Sequence, residues 1–113
     1  MNSRNHIGEL EELVLLSVGS IYENAYAVHI LKVIRESTGR NPDVTAIHSV
    51  LRRLEKKGFV TSSMGGATNE RGGRRKRFFQ LTQTGKRVLD EIMEVRLMLY
   101  RKIPQVTISV IGI

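Results

Sequence analysis

The 113-residue sequence predicts an α+β fold that is mainly α, built as three helices, a β-hairpin and one further helix. Three observations carry this reading. Apolar residues recur at helical spacing through the first half of the chain. After Gly58 the rhythm changes to two short stretches rich in β-formers on either side of a glycine-flanked turn. Beyond Thr82 an apolar series resumes at steps of four, three and four.

Taken in order, Ile7, Leu10, Leu13, Val14 and Leu16 place a first helix over about Gly8 to Gly19. A second helix covers Ala25 to Ser37, with Val28, Leu31, Val33 and Ile34 turned inward, and stops at "STGRNPD", where Gly39 and Pro42 break the pattern. The third helix lies in "DVTAIHSVLRRLEKKGF", with Asp43 or Thr45 as its cap and Gly58 as its stop. Ile47, Val50, Leu51 and Leu54 mark its buried side, while Thr45, His48, Ser49, Arg52 and Lys56 share another. "FVTSSM" and "RRKRFFQLT" are expected to pair as strands around the turn "GGATNERGG". Phe78 and Phe79 then face opposite ways, one entering the core and the other packing on the last helix or staying partly exposed. Thr82 caps a last helix from Gln83 to Lys102, ended by Pro104. The apolar end "PQVTISVIGI" adds a strand, covers a groove or is loosely held; the sequence leaves all three open.

The composition bounds the function. The net charge is +7, and Arg71, Arg74, Arg75, Lys76 and Arg77 supply five cations within seven residues, so the basic character is local. Local positive charge suits phosphate backbones or anionic lipid, and it also serves plain solvation. No apolar run approaches the roughly 20 residues of a membrane span. "MNSRNHIGELEEL" lacks the order of a secretory signal, and there is no cysteine; both fit a cytoplasmic protein. Catalysis and cofactors are not expected. His6, His29 and His48 share no metal-ligand spacing, no phosphate-binding G-x-x-x-x-G-K-[ST] loop is present, and no serine sits in a nucleophile motif.

The order helix, helix, helix, strand, basic turn, strand is that of a winged helix-turn-helix. A major groove about 12 Å wide accepts one helix, the preceding helix braces it, and the hairpin reaches neighbouring phosphates. "LEELVLLSV", "YAVHILKVI", "TAIHSVLRRLEKKGFVTS" and "GGRRKRFFQLTQTGKRVL" together resemble the PadR-like family of winged-helix transcriptional regulators, over roughly residues 8 to 100. The resemblance implies a homodimer that binds a partly palindromic double-stranded DNA site, usually as a repressor, with much of the dimer contact made by the last helix. Some members release DNA when a small planar compound binds near the dimer interface, so a small-molecule effector is an unidentified candidate partner. The chain departs from the family in having His48 and Ser49 where tyrosine and often proline stand. It has Ala27 for a glycine after Tyr26, Phe78 and Phe79 in place of a tyrosine pair or mixture, and no tryptophan.

The expected organisation is a DNA-binding domain at residues 8–82, a dimerisation helix at 83–103 and an apolar tail at 104–113. Thr45, His48, Ser49 and Arg52 are the candidates for groove contact, and Arg74, Arg75, Lys76 and Arg77 for the wing. The bland alternatives are a solvated helix face and a soluble hairpin tip. Val88, Ile92, Val95 and Leu99 are the expected dimer seam, against the alternative of packing within one chain. Tyr22, Tyr26, Met93, Met98 and Tyr100 are effector-pocket candidates, against plain core packing. The expected function is a sequence-specific dimeric repressor. A protein-interaction module and a nonspecific architectural DNA binder are the competing classes.

Overall fold

The computed structural model describes residues 7–65 and 76–105. The described elements are α1 (Glu9–Ile21), α2 (Ala27–Thr38), α3 (Val44–Lys56), β1 (Val60–Met64), β2 (Arg77–Leu81) and α4 (Gln83–Arg101). The turn 66–75 and the tail 106–113, on which the expectations for Arg74, Arg75 and the C-terminal residues fall, lie outside the described residues.

Helix boundaries follow local chemistry. At the start of α1 the Glu11 carboxylate accepts the Gly8 N–H at 3.0 Å, and Glu9, Glu11 and Glu12 set negative charge against the helix N-terminus. α2 ends on Gly39 in the left-handed region, φ 74°, whose N–H returns to Arg35 O. α3 begins where the Asp43 side chain accepts the Thr45 N–H at 3.2 Å, and ends at Gly58, φ 81°. α2 starts two residues later than the apolar pattern suggests, because Ala25 is used as a strand: its carbonyl accepts the Phe79 N–H at 2.7 Å in an isolated antiparallel bridge.

β1 and β2 are antiparallel, with Val60 opposite Leu81, Ser62 opposite Phe79 and Met64 opposite Arg77. β2 therefore lies between β1 and the Ala25 bridge. α1 packs against α2, α3, α4 and β2, which makes it the centre of the domain. The core comprises Val14, Leu15 and Val18 from α1, Ile30 and Ile34 from α2, and Ile47, Val50, Leu51 and Leu54 from α3. The sheet contributes Phe59, Val60 and Phe79, and α4 contributes Val88, Leu89 and Ile92.

The join between hairpin and α4 is tight. Thr82 Oγ1 accepts the Gly85 N–H at 3.0 Å as the N-cap of α4, and donates to Gly58 O at 2.7 Å. Gly85 is buried against the Phe59 carbonyl: a Cβ there would sit 3.0 Å from the Phe59 carbonyl carbon, 2.9 Å from Leu81 Cδ1 and closer still to the carbonyl oxygen. Glycine at this position lets the first turn of α4 lie directly on the strand entry.

α4 is buried only along its first half. Val88 and Ile92 are 2% and 7% exposed, whereas Val95 and Leu99 are 40% and 59% exposed. Of the expected seam residues, Val88 and Ile92 therefore pack in the chain's own core, and Val95 and Leu99 remain open. The physical reason is length: Met93 still packs on the core, and the residues from Glu94 to Arg101 extend about 12 Å along the helix axis beyond it. Arg96 Nη2 reaches back to Glu12 Oε1 at 2.8 Å and ties the emerging helix to α1.

Candidate nucleic-acid interface

The helix-turn-helix places α3 with two distinct sides. Ile47, Val50, Leu51 and Leu54 are each 1% exposed or less, which fixes the rotation of the helix. That rotation leaves Thr45, His48 and Arg52 exposed and Ser49 half-buried, so all four predicted contact residues lie on or beside the open side. Their hydroxyl, imidazole and guanidinium donors suit phosphate oxygens, and both their donors and their acceptors suit base edges. The C-terminal end of α3 is held to the start of α1. Lys57 Nζ lies 3.0 Å and Arg53 Nε 3.9 Å from Glu11 Oε2. Burial works to raise the Glu11 carboxyl, but the Gly8 N–H and the Lys57 and Arg53 cations outweigh it and hold the group below its ordinary value of 4.5.

Beside α3 the structure forms a groove of about 590 Å³, with Tyr26, Ala27 and Val28 from the start of α2, His48 from α3 and Lys76, Arg77 and Phe79 from the hairpin along its walls. One cavity therefore joins the open side of the third helix to the root of the wing. Lys76 and Arg77 are both exposed, and they are held differently. Arg77 Nη1 donates to Ser62 Oγ at 2.9 Å, and Ser62 Oγ donates to Glu55 Oε2 at 2.6 Å. Arg77 is thereby linked across the hairpin to the last turn of α3. The Lys76 ammonium sits 4.3 Å from the centroid of the Tyr26 ring.

Of the two phenylalanines, Phe79 enters the core and Phe78 is half-buried. Phe78 packs edge-on against Tyr26, with ring centroids 6.0 Å apart, at the start of α2; of the two expected outcomes, packing on the last helix or partial exposure, the half-buried ring fits the second. The Ala25 bridge explains the contact, since it brings the start of α2 alongside β2. Tyr26, Ser62 and Glu55 are thus parts of the wing's support that sequence reasoning did not assign. No periodicity marks them, because each acts across elements.

The effector candidates do not all meet within one chain. Tyr22 belongs to the turn after α1, Tyr26 lines the α3 groove, and Met93 and Tyr100 lie with Arg96, Leu97, Leu99 and Ile103 around a cleft of about 480 Å³ on the open half of α4. Among the described residues no three or more His, Asp or Glu side chains are grouped to hold a metal ion, and no helix is long and apolar enough to cross a membrane.

Comparison with known proteins places this geometry. The family model described as "Transcriptional regulator PadR-like family" matches residues 14–91. The chain is similar in structure to a PadR family transcription regulator from Clostridium difficile, with 26% identity, 85% of this chain and 94% of the other covered and a TM-score of 0.67. It is also similar to a PadR family transcriptional regulator from Eggerthella lenta, at 27% identity, 82% and 80% coverage and a TM-score of 0.62. Bacillus subtilis PadR, whose structure is in complex with operator DNA, shares the fold at 21% identity and a TM-score of 0.62, over 74% of this chain and 46% of that one. No curated protein matches the sequence closely enough to add to these.

Proposed function

We propose a specific task for this chain, which belongs to the PadR-like family of transcriptional regulators: it is a dimeric repressor that recognises a particular double-stranded DNA site. The observation that carries this reading is the shared groove. His48 on the open side of α3 and the cations Lys76 and Arg77 line one cavity, so a helix in the major groove and a wing on the adjoining backbone can meet one duplex. Thr45, Ser49 and Arg52 extend the α3 surface, and Arg74 and Arg75 add charge to the same hairpin in the sequence. Backbone contacts supply affinity and base contacts supply choice of site.

The open half of α4 supports the dimer. Val95, Leu97, Met98, Leu99, Tyr100 and Ile103 are all exposed around Arg96 on and just beyond this half of the helix, more apolar side chains than a solvated lone helix maintains in the open. A second copy of α4 covers them in the proposed assembly, which places two reading helices on one side of the duplex about one turn, or roughly 34 Å, apart. The α4 cleft beside Met93 and Tyr100 lies where that second copy closes it, and it is the place at which a small apolar effector would act on DNA release.

Selection of bound duplexes from a random library by the purified protein tests the reading. A repressor of this kind enriches one partly palindromic sequence and binds it roughly 10³-fold or more tighter than random duplex. Enrichment of no sequence over the starting pool would leave a nonspecific binder or a protein-interaction module instead.

A further inference from the structure

We infer that Tyr26 is a positioning residue for the wing: its ring holds the Lys76 ammonium at the rim of the groove, in the place where a phosphate must meet it. The inference rests on the DNA-binding reading above. The Lys76 Nζ stands 4.3 Å from the Tyr26 ring centroid, within the range of a cation–π contact. Lys76 is exposed while its ammonium faces the ring, so contact with the ring and access to solvent coexist.

Tyr26 is held at its backbone, and its ring has aromatic neighbours in Phe78 and in His29, whose centroid lies 5.8 Å away. Tyr26 is the N-cap residue of α2 in extended backbone, and its carbonyl accepts the Ile30 N–H at 2.9 Å. The preceding residue, Ala25, is bridged to Phe79. Phe78 closes on the ring at 74°. Phe78 in turn lies over Gly65, where a Cβ would come within 3.1 Å of Phe78 Cδ2 and 3.2 Å of Lys76 O, and the Gly65 N–H donates to Lys76 O at 2.6 Å. The two ends of the described hairpin, Gly65 and Lys76, are therefore locked to each other and to Tyr26.

The chemistry of the partner matters as much as its place. A carboxylate would also hold Lys76, but it would cancel the positive charge that a phosphate needs. An aromatic face attracts the cation without neutralising it. Among the described residues Lys76 has no carboxylate partner, whereas its neighbour Arg77 is linked through Ser62 to Glu55. Restraining a four-torsion side chain in advance also lowers the ordering cost of binding.

The test uses the full chain and a labelled duplex of about 30 base pairs, long enough for two half-sites one turn apart, drawn from the library pool that the wild type enriches. Tyr26→Leu should weaken binding about two- to fivefold and make the salt dependence shallower. Tyr26→Phe should stay within about twofold, because a phenyl face still attracts the cation. In a Lys76→Ala background, Tyr26→Leu should change affinity no further. Upfield ring-current shifts of the Lys76 ε-methylene protons should be present in the wild type and in Tyr26→Phe, which keeps the test open if Tyr26→Leu does not fold. Unchanged or tighter binding by Tyr26→Leu, an equal loss in the Lys76→Ala background, or unshifted Lys76 ε-protons in the wild type would overturn the inference. A wild type that binds no duplex overturns the DNA-binding reading first, and this one with it.

Discussion

Replacing Gly85 with alanine should destabilise the protein by about 2 kcal/mol, although the same change in an exposed helix stabilises by about 1 kcal/mol. The sign is set by one close approach. The new Cβ would stand 2.9 Å from Leu81 Cδ1 and 3.0 Å from the Phe59 carbonyl carbon, and still nearer to the carbonyl oxygen. Leu81 can turn away; the Phe59 carbonyl cannot, because it accepts the Thr82 N–H at 3.1 Å at the entry to α4. Relief requires α4 to lift off the strand. Overpacking of this kind costs up to about 3 kcal/mol, and the alanine propensity returns about 1 kcal/mol. For a domain of this size the melting temperature should fall by about 10 °C. Thermal and urea unfolding, followed by far-ultraviolet circular dichroism at one fixed protomer concentration, measures it. Because Gly85 sets α4 against the wing, the variant should also bind the enriched duplex more weakly at temperatures where it is folded. A variant as stable as the wild type, or more so, would refute the idea that this close approach fixes α4 on the hairpin.

The remaining predictions concern charge and assembly. Glu11 has a folded-state affinity for protons below its unfolded one, so its contribution is complete above about pH 4.5 and is lost as pH falls through the lower folded value. Glu11→Gln should cost about 1 kcal/mol at neutral pH and flatten the acid limb of stability, as read by urea unfolding from about pH 7 down to about pH 3. Changing Arg74, Arg75, Lys76 and Arg77 together to alanine should weaken binding to every duplex and lower the log–log salt slope by roughly 0.9 for each phosphate that is no longer neutralised; an unchanged slope removes the wing from the interface. Val95→Glu or Leu99→Glu should yield a folded monomer, whereas Val88→Glu or Ile92→Glu should unfold the domain, since the first pair is open and the second is core. Sedimentation and circular dichroism separate the two outcomes, and a dimer that survives Leu99→Glu rejects the α4 assembly.

Much of this fold is written locally in the chain. The Asp43 cap, the Gly39 and Gly58 stops and the Thr82 cap each act within a few residues, so spacing alone locates them. The open side of α3 was legible for the same reason: once Ile47, Val50, Leu51 and Leu54 turn inward, Thr45, His48 and Arg52 are left exposed and Ser49 half-buried. What the sequence did not reveal depends on contacts between elements. Val88, Ile92, Val95 and Leu99 have one spacing, and only the place where α4 outruns α1 separates core from open surface. Ala25 reads as the start of a helix until Phe79 pairs with it, and that pairing carries Tyr26 to Phe78 and Lys76. Gly85 looks like a weak point in a helix until Phe59 is placed against it.

The central claim is that the open side of α3 and the root of the wing engage the same duplex, and amide chemical-shift mapping during titration with the enriched DNA tests it most directly. The account predicts that Thr45, His48, Ser49 and Arg52 shift together with Lys76 and Arg77, at one stoichiometry of two protomers per duplex. Shifts confined to the polar cleft of Tyr22, Asn24, Thr61, Ser63 and Gln80, with α3 unmoved, would contradict it.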